Sequence, residues 1–284
     1  MFKHNYFNHN SIKSLLFTIS LSLICFASIW AQSAGMDPKL DEAPSIKVMS
    51  YNMRIASPPS SNWGGTDLAA IADVINRNKP DIVALQEVDV YTKRSGLDSN
   101  QAMELGKLTN MEYFFAKAVD RSEGDYGVAI LSRFPIKESK AYRLPVSPGS
   151  DGEIRGLALI IVEVNNMDVV FMSTHFDHLS DKNRLLQTEK MMEVLSLHKD
   201  YPVIVGADFN MEPDNKVMDE IRNEMTGCTF CPLTFPQINP NTTIDYIMVN
   251  DMATKSLKLL NYYTVKEDYA SDHLPLIGEF IFEE

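Results

Sequence analysis

From residue 46 to residue 282 the chain advances as a succession of short apolar runs, most of which stop at an acid, an amide or an imidazole. Asn52 closes VMSYN, Glu87 closes IVALQE, His175 and Asp177 follow VVFMST, and Asp208 and Asn210 follow VIVGA. Asp245 lies inside TTIDYIMV, and Ser271-Asp272-His273 precedes LPLIGEF. Runs this short, rich in β-branched residues, read as buried strands. A charged group at the end of a buried strand is expensive to desolvate unless it is paired or binds something. One such residue is an ordinary structural partner. A whole set of them, drawn from the same few residue types, points to strand ends that present chemistry from a rigid scaffold.

The remaining pattern fixes the class. The run 46–52 predicts a strand, and Thr66 then caps a helix that places Leu68, Ile71 and Ile75 on one face and stops before Pro80. Residues 82–85 form a short apolar run and 101–109 a second helix. Strands are expected at 113–118, 127–132, 157–164, 169–174 and 202–207, the last after a helix that begins at Ser180 and turns Leu185, Met192 and Leu195 inward. Further strands are expected at 243–249, 256–263 and 276–282. The junction at Asn165-Asn166 is too tight for a helical crossover and suits a hairpin. The fold is therefore α/β, with a mixed sheet and helices packed outside. No repeat or linker divides the chain, so 46–284 reads as a single domain behind a short segment, 32–45.

Residues 1–13 contain Lys3 and Lys13 and no acid; the apolar stretch LLFTISLSLICFASIWA follows, then QSAG. This is the pattern of a secretory signal peptide over 1–31, with a membrane anchor as the competing reading. Cys25 raises a lipoprotein reading, which Ile24 before it disfavours. Cleavage near Ala31 predicts a secreted or periplasmic protein. In that oxidising setting Cys228 and Cys231 in GCTFC could close a short disulfide, stay as free thiols or act as a redox pair.

Charge limits the partners. Lys and Arg number 26 against 38 Asp and Glu, a formal net charge of −12 that becomes −14 when Lys3 and Lys13 leave with the signal. Broad neutralisation of nucleic-acid phosphates is excluded as the main source of affinity. An enzyme that reaches phosphate through a metal is not.

The motifs MSYN, LQEVD, GVAILSRFPI, STHFDH, VGADFN, TIDYIMV and SDHLPL, in that order, resemble the endonuclease/exonuclease/phosphatase superfamily, and more closely a secreted bacterial branch of it. The resemblance implies a four-layer α/β sandwich, two mixed sheets face to face with helices outside, and a magnesium-dependent phosphoesterase. It also implies that Asp208 positions the attacking water, that Asn210 donates to the phosphate and that His175 contacts the phosphate near the leaving group.

The residue types agree with that chemistry. Mg²⁺ takes one or two carboxylates, with water and substrate oxygens completing its shell, and Glu87, Asn52 and Asp272 form such a sparse set; Mn²⁺ is a natural substitute. Asp245 and His273 suit a pair in which a carboxylate fixes an imidazole's tautomer and raises its basicity, which makes His273 the first choice for general base. Arg155 in EIRGLAL offers a fork for phosphate oxygens or a partner for Glu153. Asp177, Lys93 and Arg94 are further candidates for holding substrate; Asp177 and His178 could instead only shape their loop. Arg184 and Gln187 read as orienting groups and His198 as structural.

The expected substrate is a phosphorylated lipid head group, an inositol phosphate or another small phosphoester, met by a monomer at or near a membrane surface. The long aromatic hairpin of the sphingomyelinase-like branch is not found in the sequence. A secreted nuclease is the alternative, and a non-catalytic binding protein on the same fold is the alternative of another class. The latter predicts loss of at least one of Glu87, Asp208, Asn210, Asp272 or His273, and all are present.

Overall fold

Strand-forming residues in this chain come in runs that are apolar on both faces, so their sheets must be covered on both sides. A computed structural model describes residues 44–283. The proposed signal peptide over 1–31 and nearly all of 32–45 lie outside the described residues. From Pro44 onward the chain forms one compact unit.

The elements in chain order are β1 (Ser45–Asn52), α1 (Leu68–Asn78), β2 (Ile82–Val90), α2 (Gln101–Thr109), β3 (Glu112–Arg121), β4 (Gly124–Ser132), β5 (Ile136–Leu144), β6 (Arg155–Val164) and β7 (Met167–His175). They continue with α3 (Asp181–Ser196), β8 (Val203–Asp208), α4 (Lys216–Arg222), β9 (Met225–Thr226), β10 (Asp245–Asn250), α5 (Asp251–Ser256), β11 (Leu257–Thr264) and β12 (Leu276–Phe282). They make two six-stranded sheets, ordered β11-β12-β1-β2-β4-β3 and β5-β6-β7-β8-β10-β9. In each sheet one neighbouring pair is parallel, β1–β2 and β7–β8, joined through α1 and α3 respectively; all other neighbouring pairs are antiparallel.

Alternation along the strands builds the layers. Ile46, Val48, Ile82 and Ile130 of the first sheet meet Ile160, Phe171, Ile204 and Ile247 of the second in a central core. The opposite faces carry Met49, Tyr51, Val83 and Leu85 against Ile71, Ile75 and Leu105, and Leu159, Met172 and Val205 against Met191, Val194 and Met218. The result is the four-layer α/β sandwich expected from the sequence. Asn165 and Asn166 both take positive φ in the β6–β7 hairpin, as its two-residue turn requires.

Several local expectations change. The cap of α1 is Asp67, whose carboxylate accepts from the Ala70 amide, and not Thr66. The short run at 82–85 continues to Val90 through an irregularity after Leu85. β5 was not expected at all: IKESKAYRL is an edge strand, exposed along most of its length, so it lacks the apolar signature of a buried strand. The short elements β9, α4 and α5 also gave no clear sequence signal. α3 turns Asn183, Gln187, Thr188 and Met191 inward, while Leu185 is 38% exposed. Its buried face is partly polar because it serves the loop that follows β7, and an apolar-period reading misplaces it.

Candidate active site

Strand order and direction gather the predicted residues at one end of the sandwich. β1 and β2 are parallel, as are β7 and β8, so all four end on that side. β10 starts there, because it runs antiparallel to β8. In the second sheet His175 is in register with Asp208, and Asp208 with Asp245. Three polar residues on three neighbouring strands thus stand side by side.

The first sheet supplies Asn52 and Glu87. Asn52 is buried and its Nδ2 donates to Asp208 Oδ2 at 2.9 Å and to Glu87 Oε1 at 3.3 Å. Its backbone carbonyl accepts from the Ser271 hydroxyl at 2.6 Å, which ties the SDH segment to β1. Glu87 has φ 56°, a left-handed conformation at the irregularity in β2. Such a bulge re-aims a side chain that strict alternation would send elsewhere.

His273 Nδ1 lies 2.9 Å from Asp245 Oδ2, and its Nε2 lies 3.8 Å from Asp208 Oδ2. His175 Nε2 approaches the same Asp208 oxygen at 3.5 Å. All four side chains are buried. Burial pushes Asp208 up to about 7, and the neighbouring Asp245 charge adds to it against the opposing pull of His273 and the Asn52 amide. Burial alone would lower His273, but the charge and hydrogen bond of Asp245, with Asp208 behind it, outweigh that and raise it to about 10. His175 is held well below the usual imidazole range by burial and by Arg155, His273 and His178 around it. The two imidazoles are thus pushed in opposite directions, His273 toward its protonated form and His175 toward its neutral form.

Asn210 Nδ2 donates to the Phe176 carbonyl at 3.0 Å and its backbone amide to Asp208 Oδ1 at 2.9 Å. Asn210 takes φ 52° and turns back over the end of β7, with Phe209 buried beneath.

The expected substrate contacts divide. Arg155 is buried, with Nη1 3.5 Å from His175 Nδ1 and 3.3 Å from Glu153 Oε2, and Nη2 3.3 Å from His178 Nδ1. The pairing with Glu153 is present, on a buried and not an exposed arginine, and the guanidinium stands beside His175. The oxygens of Asp177 accept from the amides of Glu153, Leu179 and Ser180 and from Asn183 Nδ2, the loop-shaping arrangement offered as the alternative. Gln187 and Arg184 hold the same loop through the Asp177 backbone, as orienting groups would. Arg94 makes a two-pronged pair with Asp89, which is fully buried and also accepts from Thr92 and Ser95. Lys93 is exposed and pairs with Glu123. His198 is buried outside the site.

One residue at the site was missed. Arg54 places Nε 3.1 Å from Asp272 Oδ2, out of line for a hydrogen bond, donates from Nη1 to the Ser57 carbonyl, and lies 3.6 Å over the Trp63 ring. Arg54, Ile55 and Ala56 all have φ near +50°. A left-handed conformation costs an L-residue about 1–2 kcal/mol, and here it is held by the burial of Ile55 and Ala56 and by Gln101 Nε2 donating to the Ile55 carbonyl at 2.7 Å. The only hint in the sequence was an arginine two residues beyond Asn52.

The donor set suits a hard divalent cation. Glu87 is a carboxylate whose hydrogen bond is to a neutral amide and which, among the described residues, pairs with no cation. Among the described residues Asp272 keeps Oδ1 beside only the Ser271 hydroxyl, at 3.5 Å. Asn52 turns its nitrogen toward the Glu87 and Asp208 carboxylates, and its oxygen accepts from the Arg54 amide. Asp208, Asp245 and His273 also have ligand atoms within 4.8 Å of one another, but His273 Nδ1 is committed to Asp245. Glu87 and Asp272 are carboxylates that could hold a divalent cation, and Asp208, Asp245 and His273 form a separate buried cluster.

Comparison with known proteins agrees with the layered fold and the order of the motifs. A family model described as endonuclease/exonuclease/phosphatase matches residues 49–273. A phospholipase C of Staphylococcus aureus is 25% identical over 325 aligned residues, covering 94% of this chain and 96% of that protein. A sphingomyelinase C of Bacillus cereus is 26% identical over 243 residues, covering 75% of this chain and 70% of that protein. Among solved structures, a mannosyl-6-phosphatase of Bacteroides thetaiotaomicron superposes with a TM-score of 0.67 at 21% identity, covering 84% of this chain and all of that one.

Proposed function

The chain belongs to the endonuclease/exonuclease/phosphatase family, and from that premise we propose that it is a Mg²⁺-dependent phosphoesterase, exported from the cell, that hydrolyses a phosphorylated lipid head group or a similar small phosphoester by attack of water. The observation that carries this reading is Asp208: a buried carboxylate flanked by His175, Asp245 and His273 and hydrogen-bonded through Asn52 to the Glu87 side of the site.

Glu87 and Asp272 would hold Mg²⁺, with Mn²⁺ as a substitute and Asn52 aligning Glu87. The ion supplies charge neutralisation of a phosphoryl oxygen. Asp208, whose proton affinity is raised toward neutrality, accepts the proton of the attacking water. The sequence suggested His273 as base, but an imidazole kept protonated by Asp245 is suited to donate, and it can serve the phosphoryl or leaving oxygen. His175, neutral, and Asn210 contact the phosphate. Arg155 orients His175 and adds positive charge behind it. Arg54 balances Asp272.

The two curated relatives, named for phospholipase and sphingomyelinase activity, support a lipid phosphodiester. Export is supported by the pairing of Cys228 with Cys231, a bond that persists in oxidising compartments. The test is to incubate purified protein, with Mg²⁺ or with EDTA, with bis-p-nitrophenyl phosphate, vesicles of sphingomyelin, phosphatidylcholine or phosphatidylinositol, mannose 6-phosphate and supercoiled plasmid. Mg²⁺-dependent release of phosphorylated head group from at least one lipid is expected. Nicking of plasmid without lipid turnover would move the assignment to a nuclease, and no turnover of any ester would overturn it.

A further inference from the structure

Residues 227–244, GCTFCPLTFPQINPNTTI, contain no Asp, Glu, Lys, Arg or His, in a chain of which 23% is charged. Within this segment Phe230 is 94% exposed, Ile238 59% and Leu233 43%. Single exposed apolar residues are ordinary; several of them on one uncharged segment mark a contact surface.

The segment is also fixed. The Cys228–Cys231 bond closes a small ring whose sulfurs pack on the outer core of the second sheet, so Phe230 is held away from it. Beyond the ring the chain forms a narrow hairpin. Thr234 and Phe235 donate their amides to the Thr242 carbonyl, and Asn241 and Thr242 donate theirs to the Phe235 carbonyl, with Ile238 near the tip. The root of the hairpin is bound to the active site. The Thr234 hydroxyl accepts from the Asp245 amide, the Gln237 amide donates to the Asp272 carbonyl, and the Phe235 ring lies 4.8 Å from the His273 ring. The segment is thus tied to the residues that would do the chemistry and carries exposed apolar side chains beyond them, and a side chain on a braced backbone loses less freedom on contact.

We propose that residues 227–244 are a docking arm that seats the active site on a lipid–water interface of zero net charge, with Phe230, Leu233 and Ile238 entering the interface. This rests on the lipid head-group reading of the site. The arm has no charged group with which to fix register against a protein, whereas an interface asks only for aromatic and aliphatic side chains beside neutral polar groups, which Asn239, Asn241 and Thr242 supply. With a formal charge of −12 on the whole chain and no cation on the arm, an anionic surface is the wrong complement and a zwitterionic one the right one.

The test is flotation of the full protein with vesicles of phosphatidylcholine and sphingomyelin, and separately with vesicles containing phosphatidylserine. The variants are Phe230→Ser/Ile238→Ser and, as a control, Leu197→Ser, which removes a 67%-exposed leucine just after α3. Expected is binding of the unmodified protein to neutral vesicles, a loss of roughly tenfold or more in the double variant, and none in the control. Turnover of soluble bis-p-nitrophenyl phosphate should be equal in all three. Equal flotation of the double variant, preference for phosphatidylserine vesicles, or absence of binding to neutral vesicles overturns the docking arm. Loss of soluble turnover in the unmodified protein would instead overturn the enzymatic reading.

Discussion

The side-chain amide of Asn52, at the end of β1 in one sheet, donates to the carboxylate of Asp208, at the end of β8 in the other, across 2.9 Å. The two sheets can approach this closely because Gly206, two residues before Asp208, has no side chain. A Cβ there would stand 2.5 Å from the Ala84 Cβ and 3.3 Å from Ser50. Both neighbours belong to the facing sheet.

Gly206→Ala should therefore separate the sheets just behind the site. Overpacking of a close-packed core costs about 1–3 kcal/mol. A lowered thermal midpoint together with reduced kcat is expected, read by calorimetry and by hydrolysis of a soluble ester. A midpoint equal to that of the unmodified protein would show that the sheets tolerate the added methyl group.

Asp208→Asn keeps the shape and removes the proton acceptor. Hydrolysis should fall by about 10²–10⁴-fold. Because the folded state raises the proton affinity of Asp208, its ionised form opposes folding above the ordinary carboxylate range. The variant's melting temperature at pH 8 should accordingly be equal or higher. Activity lost with stability retained separates a catalytic role from a structural one.

The pH profile follows from the same groups. Asp208 acts when deprotonated, so the rate should rise as pH passes about 7. His273 acts when protonated, so the rate should fall as pH passes about 10. Asp245 raises both groups, and in Asp245→Asn both limbs should move to lower pH, most visibly the descending one. Rate–pH curves of the two proteins in saturating Mg²⁺ measure this; an unmoved descending limb would remove His273 from the acid role.

Glu87→Gln should raise the Mg²⁺ concentration needed for half-maximal activity by on the order of tenfold or more. Titration calorimetry with Mg²⁺ alone reads the same change without turnover. EDTA should abolish hydrolysis, and Mn²⁺ should restore it.

Asp89 and Lys93 test the roles of the loop after β2. Asp89→Ala leaves Arg94 partly buried without its two-pronged partner, and breaking such a pair costs about 3–5 kcal/mol. Lys93→Ala removes only an exposed pair with Glu123, so stability should change by less than about 1 kcal/mol. A large rise in KM for Lys93→Ala, with kcat unchanged, would return Lys93 to the substrate.

The sequence alone determined the layered α/β class and the polar residues at the strand ends, because both rest on local rules: alternation within a strand and the cost of burying charge. It also placed a helix start at Ser180, which the structure shows to be the cap, and a turn at Asn165-Asn166, each set by near neighbours along the chain. Only the tertiary structure decided which polar residues share the site. Asp177, Lys93 and Arg94 stand in polar loops beside the right motifs, and their partners Asn183, Glu123 and Asp89 could be found only by closure of those loops. The left-handed turn that brings Arg54 to Asp272, and the charges of His175 and His273, likewise depend on contacts between segments distant in sequence. Local pattern specifies which groups sit at the ends of strands; burial and distance, set only when two sheets meet, specify what those groups do.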